Sequence, residues 1–540
     1  MRPYVAGALA ILSMAVAAVY ASSNEEAGRR RRQGVAVPPV HADAGSSPKC
    51  DVPPRILGRV MRGYFAGRSG DVVMVEDAPN QLGTIHSTPW GFTQRIPLVL
   101  FGPGHIRAGV RSSRSVTIAD IAPTYARLLR FHRFPERDGR VLDEALVEGT
   151  DSAPRLIVTV VWDGAGTNVL RRWSRAWPNL RDLQRRGTTY TKATAGSSPS
   201  VTPAVHATLG TGFFAATHGL PDVKIQLEGV VVDPWEDGSP RLLEKRALAD
   251  LWDSANRDRA EVAVVAHDFW HVGMIGHGSQ VEGDKDIAVL DDLSTPTSFT
   301  TNHDFYRLPG YVHDVSGLEA AIAEVDGRDG LADGMWLGTP LNPQDGLIRA
   351  MPPWNILQTD KIVQLLRREG FGSDSVADLF FTNYKSTDLA GHAWNMEEPQ
   401  VRENLEQQDA ELGRLVRALD ELVGRGRYVL ALTADHGMAP YPETRGGWPI
   451  DVAEVTRDVN RRFSPDGEEV VLANRGFQLL LDEAVLADAG FERADVAEYL
   501  RAYTIGDNAP DDQPPAAERE KNVFSTALTY SELKACSRDG

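Results

Sequence analysis

The sequence predicts an α/β fold, a doubly wound and mostly parallel sheet with helices on both faces and a cap or insertion over its edge. Two observations point there. Short apolar or β-branched runs at 156–161 (LIVTVV), 376–381 (VADLFF) and 428–433 (YVLALT) read as strands buried on both faces. Around and between them, helix-like and strand-like stretches alternate at about 174–186, 188–193, 202–211, 243–255, 261–266 and 400–423.

In chain order, residues 5–21 (VAGALAILSMAVAAVYA) follow Arg2 and end in small residues at Ala21-Ser22-Ser23. Residues 1–22 therefore read as a secretory signal peptide, with an uncleaved anchor as the alternative, because about 17 apolar residues is the lower limit for a span. Residues 23–50 are rich in Gly, Pro, Ser and Arg without apolar periodicity and read as a linker, its Arg29 to Arg32 run a solvated one. Then come two strand-like runs, 71–75 (DVVMV) and 96–101 (IPLVLF), the second closed by Gly102-Pro103-Gly104. Helical spacing follows over 117–129, and a polar Gly and Pro containing connector ends at Pro154. Two stretches break the later alternation, about 280–355 and about 440–530, and both read as insertions or a cap. The chain thus divides into 51–150 and 151–540.

Composition narrows the partners. With 57 Lys and Arg against 74 Asp and Glu, the net charge of −17 argues against a general nucleic-acid binder, which would carry a basic face. An anionic substrate must then be attracted locally. Divalent ions would do this, since two of them outweigh three aspartates. Cys50 and Cys536 are the only cysteines, and export permits a disulfide.

Functional side chains in a parallel α/β sheet sit just past the carboxyl ends of the strands. Asp163 follows 156–161 and Trp162, Asp435-His436 follow 428–433 and Ala434, and Asp388-Leu389-Ala390-Gly391-His392 lies beyond 376–381. Carboxylates and imidazoles without thiolate suit zinc or another first-row divalent ion at a hydrolytic site. Gly391 would free the backbone so that Asp388 and His392 turn toward one ion. A hydroxyl is available in Ser197-Ser198-Pro199-Ser200-Val201-Thr202-Pro203: Thr202 precedes Pro203 and a helical run, the place of an N-cap, where backbone N–H groups and the helix dipole favour a phosphate. Ser200 is the fallback hydroxyl, and His206 is read as packed under the helix. His267, His271 and His277 lack an obvious companion carboxylate or thiolate and read as packing or surface. Trp252, Trp270, Trp354 and Trp394 read as core or loop anchors.

Together these residues resemble the alkaline phosphatase superfamily, particularly its nucleotide pyrophosphatase/phosphodiesterase branch. The resemblance covers most of residues 55–440 and implies an alkaline-phosphatase-like fold, two divalent metal ions (zinc) and a small-molecule phosphate ester substrate. One ion would be held by Asp388, His392 and His86, and the other by Asp163, Asp435, His436 and the nucleophile Thr202. His86 stands in Gly83-Thr84-Ile85-His86, a segment that normally closes such chains but here opens one. The resemblance therefore implies a circularly permuted chain, with the ancestral ends joined through 148–154 and the new ends between Gly540 and Pro53. Cys50 and Cys536 flank that break and could staple it.

Within hydrolases, phosphodiesters or nucleotide pyrophosphates are favoured, because no motif places an Arg beside Thr202 for a dianionic monoester. A phosphomonoesterase is the alternative, and a secreted binding protein that has lost activity is a further one. A sulfatase is disfavoured, since its Cys/Ser-x-Pro-x-Arg motif is absent at Thr202. The branch usually carries an Asn soon after His-Gly; here His218-Gly219 is followed by Leu220-Pro221-Asp222-Val223, and Lys224 is the candidate replacement.

Overall fold

A computed structural model describes residues 49–83, 85–149, 152–278, 285–464, 467–509 and 516–538. The signal-peptide reading of 1–22 and most of the linker fall outside them. The front segment contributes β1 (Val72–Glu76), β2 (Leu98–Phe101) and β3 (Val110–Thr117), and the strand after the connector is β4 (Leu156–Trp162). Next come β5 (Thr188–Thr194), the short hairpin β6 (Ile225–Leu227) and β7 (Val230–Val232), then β8 (Val262–Ala266), β9 (Ile287–Asp291) and β10 (Phe299–Thr300). The set is completed by β11 (Met335–Trp336), β12 (Thr339–Pro340), β13 (Asp378–Tyr384), β14 (Tyr428–Thr433), β15 (Val471–Asn474), β16 (Gln478–Leu481) and β17 (Phe524–Thr529).

Nine strands form the main sheet in the order β10-β9-β8-β13-β4-β14-β2-β5-β3. The centre is parallel: β13, β4 and β14 pair in register from Asp378, Leu156 and Tyr428. Only β2 and β10 run against the rest, β2 pairing antiparallel with both β14 and β5. All seven residues of β4 are buried, because alternate side chains enter two different cores. Ile157 and Val161 face helices Ile121–Leu128, Thr202–Thr211 and Leu248–Asn256. Val158, Val160 and Trp162 face Pro178–Arg186, Pro352–Arg368 and Pro399–Leu419. The doubly wound expectation holds, and several functional side chains lie past the carboxyl ends of the central strands.

The 71–75 and 96–101 runs are adjacent in sequence but enter different sheets. β1 sits between β16 and β17 in a separate four-stranded antiparallel sheet, in the order β15-β16-β1-β17. Val72 and Met74 face one core of that sheet while Val73 and Val75 face another, under helices Pro54–Gly63 and Tyr530–Arg538. Residues 280–355 supply β9 and β10 at the edge of the main sheet, and 440–530 supply most of the smaller one. The strand β3 carries five arginine and serine residues in a row at 111–115, which masks its periodicity in the sequence.

A disulfide joins Cys50 to Cys536, with Cα atoms 5.3 Å apart. Around it Thr526 Oγ1 donates to the Lys49 carbonyl, and Tyr64 stacks on Tyr530 at 4.6 Å. Helix Pro54–Gly63 also reaches the main domain. A Cβ at Gly63 would lie 1.8 Å from the Ser198 carbonyl oxygen, so only glycine lets the helix end against the loop before Thr202. Among the described residues, no helix is long and apolar enough to cross a membrane. Cys50→Ser is expected to lower unfolding stability by about 2–4 kcal/mol, read by denaturant titration. Unreduced wild type should show no reactive thiol, and two titratable thiols would contradict the pairing.

Candidate metal centre and nucleophile

Three strands deliver the site. β4 ends at Trp162 and hands Asp163 to its carboxyl edge, where the Asp163 backbone N–H donates to the Tyr384 carbonyl at the end of β13. β13 runs on to Tyr384, and the chain turns at once into helix Ser386–Trp394, so Asp388 and His392 lie one turn apart on a helix. A Cβ at Gly391 would lie 2.6 Å from Met438 Cε, so this helix packs closely on the side chain that follows the Asp435-His436 turn. After β14, Asp435 Oδ1 accepts from the N–H groups of Gly164 and His436, which fixes that turn.

The front segment completes the arrangement. His86 Nδ1–H donates to the Ser200 carbonyl at 3.1 Å, which leaves Nε2 facing Asp388 Oδ1 at 3.7 Å. His392 Nε2 approaches the same oxygen at 3.5 Å. The His86 ring stacks on His436, with centroids 3.4 Å apart. Two ligand groups result: His86, Asp388 and His392 form one, and Asp163, Asp435 and His436 the other, with donor atoms in each within 4.8 Å of one another. A third group, Asp163, His206 and His271, shares its aspartate with the second. His206 is satisfied without an ion, since Nδ1–H donates to the Thr202 carbonyl and Nε2 accepts from Asn383 Nδ2.

The donor set fits divalent cations. Asp163 Oδ1, Asp388 Oδ1, Asp435 Oδ2 and His436 Nε2 are all buried without a hydrogen bond of good geometry. Such atoms cost free energy unless something binds them, and a cation between carboxylate and imidazole does. Burial pushes His436 down, but the carboxylates of Asp435, Asp163 and Asp388 outweigh it and hold the imidazole at about 9. Burial and the neighbouring His436 hold His86 well below the usual range, and burial lowers His392, so both rings present lone pairs.

Thr202 is the first residue of helix Thr202–Thr211, and Val201 is the N-cap, one residue earlier than expected. Thr202 therefore projects from the first turn rather than capping it. Ser200 is not a free hydroxyl: its Oγ donates to the His86 carbonyl at 3.0 Å and it is fully buried. Facing Thr202 is a group that the motifs did not flag. Lys385 Nζ donates to Thr202 Oγ1 at 3.0 Å and contacts Asp163 Oδ2 at 3.0 Å and Asp388 Oδ2 at 2.8 Å. Burial alone would lower this ammonium, but Asp163, Asp388 and Asp435 raise it above its ordinary value. The same lysine holds Asp388 down at about 2 against the effect of burial.

The histidine cluster does have carboxylate companions, two supplied by the fold from distant residues and one, Asp268, from within the cluster's own segment. His267 pairs with Asp291 at 2.9 Å and His277 with Asp250 at 3.0 Å. His271 lies beside the centre, 2.9 Å from Asp268 and 3.5 Å from Asp163. Burial lowers it, but Asp268 and Asp163 raise it to about 9. Asn383 Nδ2 donates to Asp163 Oδ2 at 2.9 Å and fixes the carboxylate. Lys224 sits 3.8 Å from Asp233 with its side chain about half exposed. Trp354 is a core anchor whose indole N–H donates to Asp291, and Trp252 donates to the Ala377 carbonyl.

The chain is similar in sequence and in fold to known proteins. A family model described as type I phosphodiesterase / nucleotide pyrophosphatase matches residues 157–537. Alkaline phosphatase PafA of Elizabethkingia meningoseptica is 29% identical over 163 residues, covering 29% of this chain and 30% of that protein. Alkaline phosphatase PhoD of Zymomonas mobilis is 31% identical over 131 residues, covering 24% of this chain and 22% of that protein. The matches thus span less than a third of the length of these curated relatives. The crystal structure of wild-type alkaline phosphatase PafA shares the fold, with a TM-score of 0.53 over 70% of this chain and 84% of that one at 19% identity.

Metal uptake should release protons. Below about pH 9 the metal-free His436 is an imidazolium, and a cation must displace that proton to reach the ring. Zinc affinity is expected to rise with pH up to about 9 and flatten above it. Calorimetry at pH 7.5 in buffers of different ionisation enthalpy should find at least about one proton released per protein; none would contradict the ligand role of His436.

Proposed function

The chain belongs to the type I phosphodiesterase / nucleotide pyrophosphatase family, and we propose that it is an exported, metal-dependent hydrolase of phosphate esters with Thr202 as nucleophile. The observation that carries this reading is the placement of the Thr202 hydroxyl. It stands at the start of a buried helix, against Lys385, which touches one aspartate from each of two ligand groups with orphaned oxygens.

His86, Asp388 and His392 would hold one divalent ion, and Asp163, Asp435 and His436 with Thr202 the other. Carboxylate and imidazole donors without thiolate favour zinc. Bound there, the ions supply Lewis acidity that offsets the charge building on phosphorus and lowers the pKa of the nucleophile. The protein supplies position. The His206 hydrogen bond to the Thr202 carbonyl fixes the first helical turn, and Asn383 fixes Asp163. Helix Thr202–Thr211 adds the positive end of its dipole to the phosphate's environment.

In the first step the Thr202 Oγ–P bond forms as the P–O bond to the leaving group breaks, and the threonine proton ends on the departing oxygen. In the second, a water oxygen bonds to phosphorus, the Oγ–P bond breaks, and a proton from water returns to Thr202. The family description puts phosphodiesters and nucleotide pyrophosphates first among substrates, and the alkaline phosphatase relatives keep phosphomonoesters as a second reading. Export rests on the apolar stretch at 5–21 and on the Cys50–Cys536 disulfide.

We also propose that the chain is circularly permuted. In support, the family match begins at β4, while His86, β2 and β3 come from residues before it and the two ends meet at a disulfide. A rearranged chain beginning at Ser152, with its old ends joined by a short linker and its new terminus at Gly149, is expected to fold and bind the same amount of zinc. Failure to bind zinc would count against the permutation.

Thr202→Ala is expected to lower turnover of 4-nitrophenyl phosphate and bis(4-nitrophenyl) phosphate by at least about a thousandfold, with zinc content unchanged by elemental analysis. Activity within tenfold of wild type would overturn the nucleophile assignment.

A further inference from the structure

Lys385 divides the site in a particular way. Its ammonium takes Oδ2 of Asp163 and Oδ2 of Asp388, while Oδ1 of each carboxylate stays without a hydrogen bond. Those Oδ1 atoms are the ones facing His436, at 3.4 Å from Asp163, and His86 and His392, at 3.7 and 3.5 Å from Asp388. The lysine therefore leaves the imidazole-facing oxygen of each carboxylate free for a cation. The partners of the Lys385 ammonium are the two aspartates and Thr202 Oγ1. The side chain is 9% exposed and its ammonium lies beside the Thr202 hydroxyl.

A lysine 3.0 Å from the attacking oxygen lies within reach of the non-bridging oxygens of the phosphoryl group that oxygen attacks. A monoester brings a terminal dianionic phosphoryl group, and a diester a monoanionic one with one fewer free oxygen. Fixed positive charge placed before reaction stabilises the more highly charged group preferentially. It is the positive group that sequence motifs did not reveal beside Thr202. We propose that Lys385 is a specificity-determining catalytic residue that contacts the phosphoryl oxygens and selects terminal phosphate monoesters over diesters at this site. This rests on the phosphohydrolase reading above and, between its two substrate readings, favours the phosphomonoester one.

The test compares zinc-loaded wild type with Lys385→Met and Lys385→Arg, measuring zinc content, the Kd for inorganic phosphate by calorimetry, and kcat/KM for 4-nitrophenyl phosphate and bis(4-nitrophenyl) phosphate. Lys385→Met should keep the wild-type zinc content, bind phosphate about 10- to 100-fold more weakly, and lose kcat/KM on both esters, with the monoester loss exceeding the diester loss by at least about tenfold. Lys385→Arg should recover part of the phosphate affinity, and if the Met variant does not fold, the Arg variant's monoester-to-diester ratio decides against wild type. Equal losses on both esters, unchanged phosphate affinity, or loss of zinc from Lys385→Met would each overturn the assignment to Lys385. Wild type that binds neither zinc nor phosphate would overturn the phosphohydrolase reading itself.

Discussion

Buried negative charge at one edge of the main sheet is the constraint around which this molecule is arranged. Asp163, Asp388 and Asp435 come from three different parts of the chain and are each almost fully shielded from solvent. Isolated carboxylates in such a place would take up protons or unfold the site. Instead Asp163 and Asp388 are held as anions, because Lys385, His436 and the other imidazoles surround them. The local field is therefore a balance of opposed charges with room for more cation, inside a protein whose overall charge is −17. An anionic ester would be drawn to that point and repelled by much of the remaining surface.

The scaffold has to be stiff for such a balance to persist. The central strands β13, β4 and β14 are buried throughout, so the residues that follow them have little freedom. The carboxylates are then oriented by neutral groups rather than by their own flexibility: Asn383 on Asp163, and the Gly164 and His436 amides on Asp435. These contacts decide which oxygen of each carboxylate is engaged and which is left over. A shift of one strand register would exchange the two faces of the strand and remove the site entirely.

Much of this was legible in the sequence because it is written locally. Strands buried on both faces announce themselves as unbroken apolar runs, and Asp163 and Asp435-His436 follow such runs directly. Asp388 and His392 sit at helical spacing, on helix Ser386–Trp394. What escaped was non-local. Lys385 and Asn383 carry no motif, and their contacts with Thr202, Asp163 and His206 exist only because the fold sets β13 beside β4. The spacing of Lys385 three residues before Asp388, on the same helical face, was the one available signal. Similarly, nothing in DVVMV tells that β1 leaves its neighbour β2 for another sheet, since the choice of partner is made by β16 and β17 some 400 residues on.

That displacement in sequence has a consequence for biosynthesis. β2 pairs with β5 and β14, and β1 with β16 and β17, so the part of the chain that leaves the ribosome first can finish pairing only after nearly all of the rest has followed. Until then two apolar strands stand with open edges, and long-range closure of this kind is slow. Helix Tyr530–Arg538 brings Cys536 to Cys50, so a covalent link closes the same long separation that β1 bridges with β17.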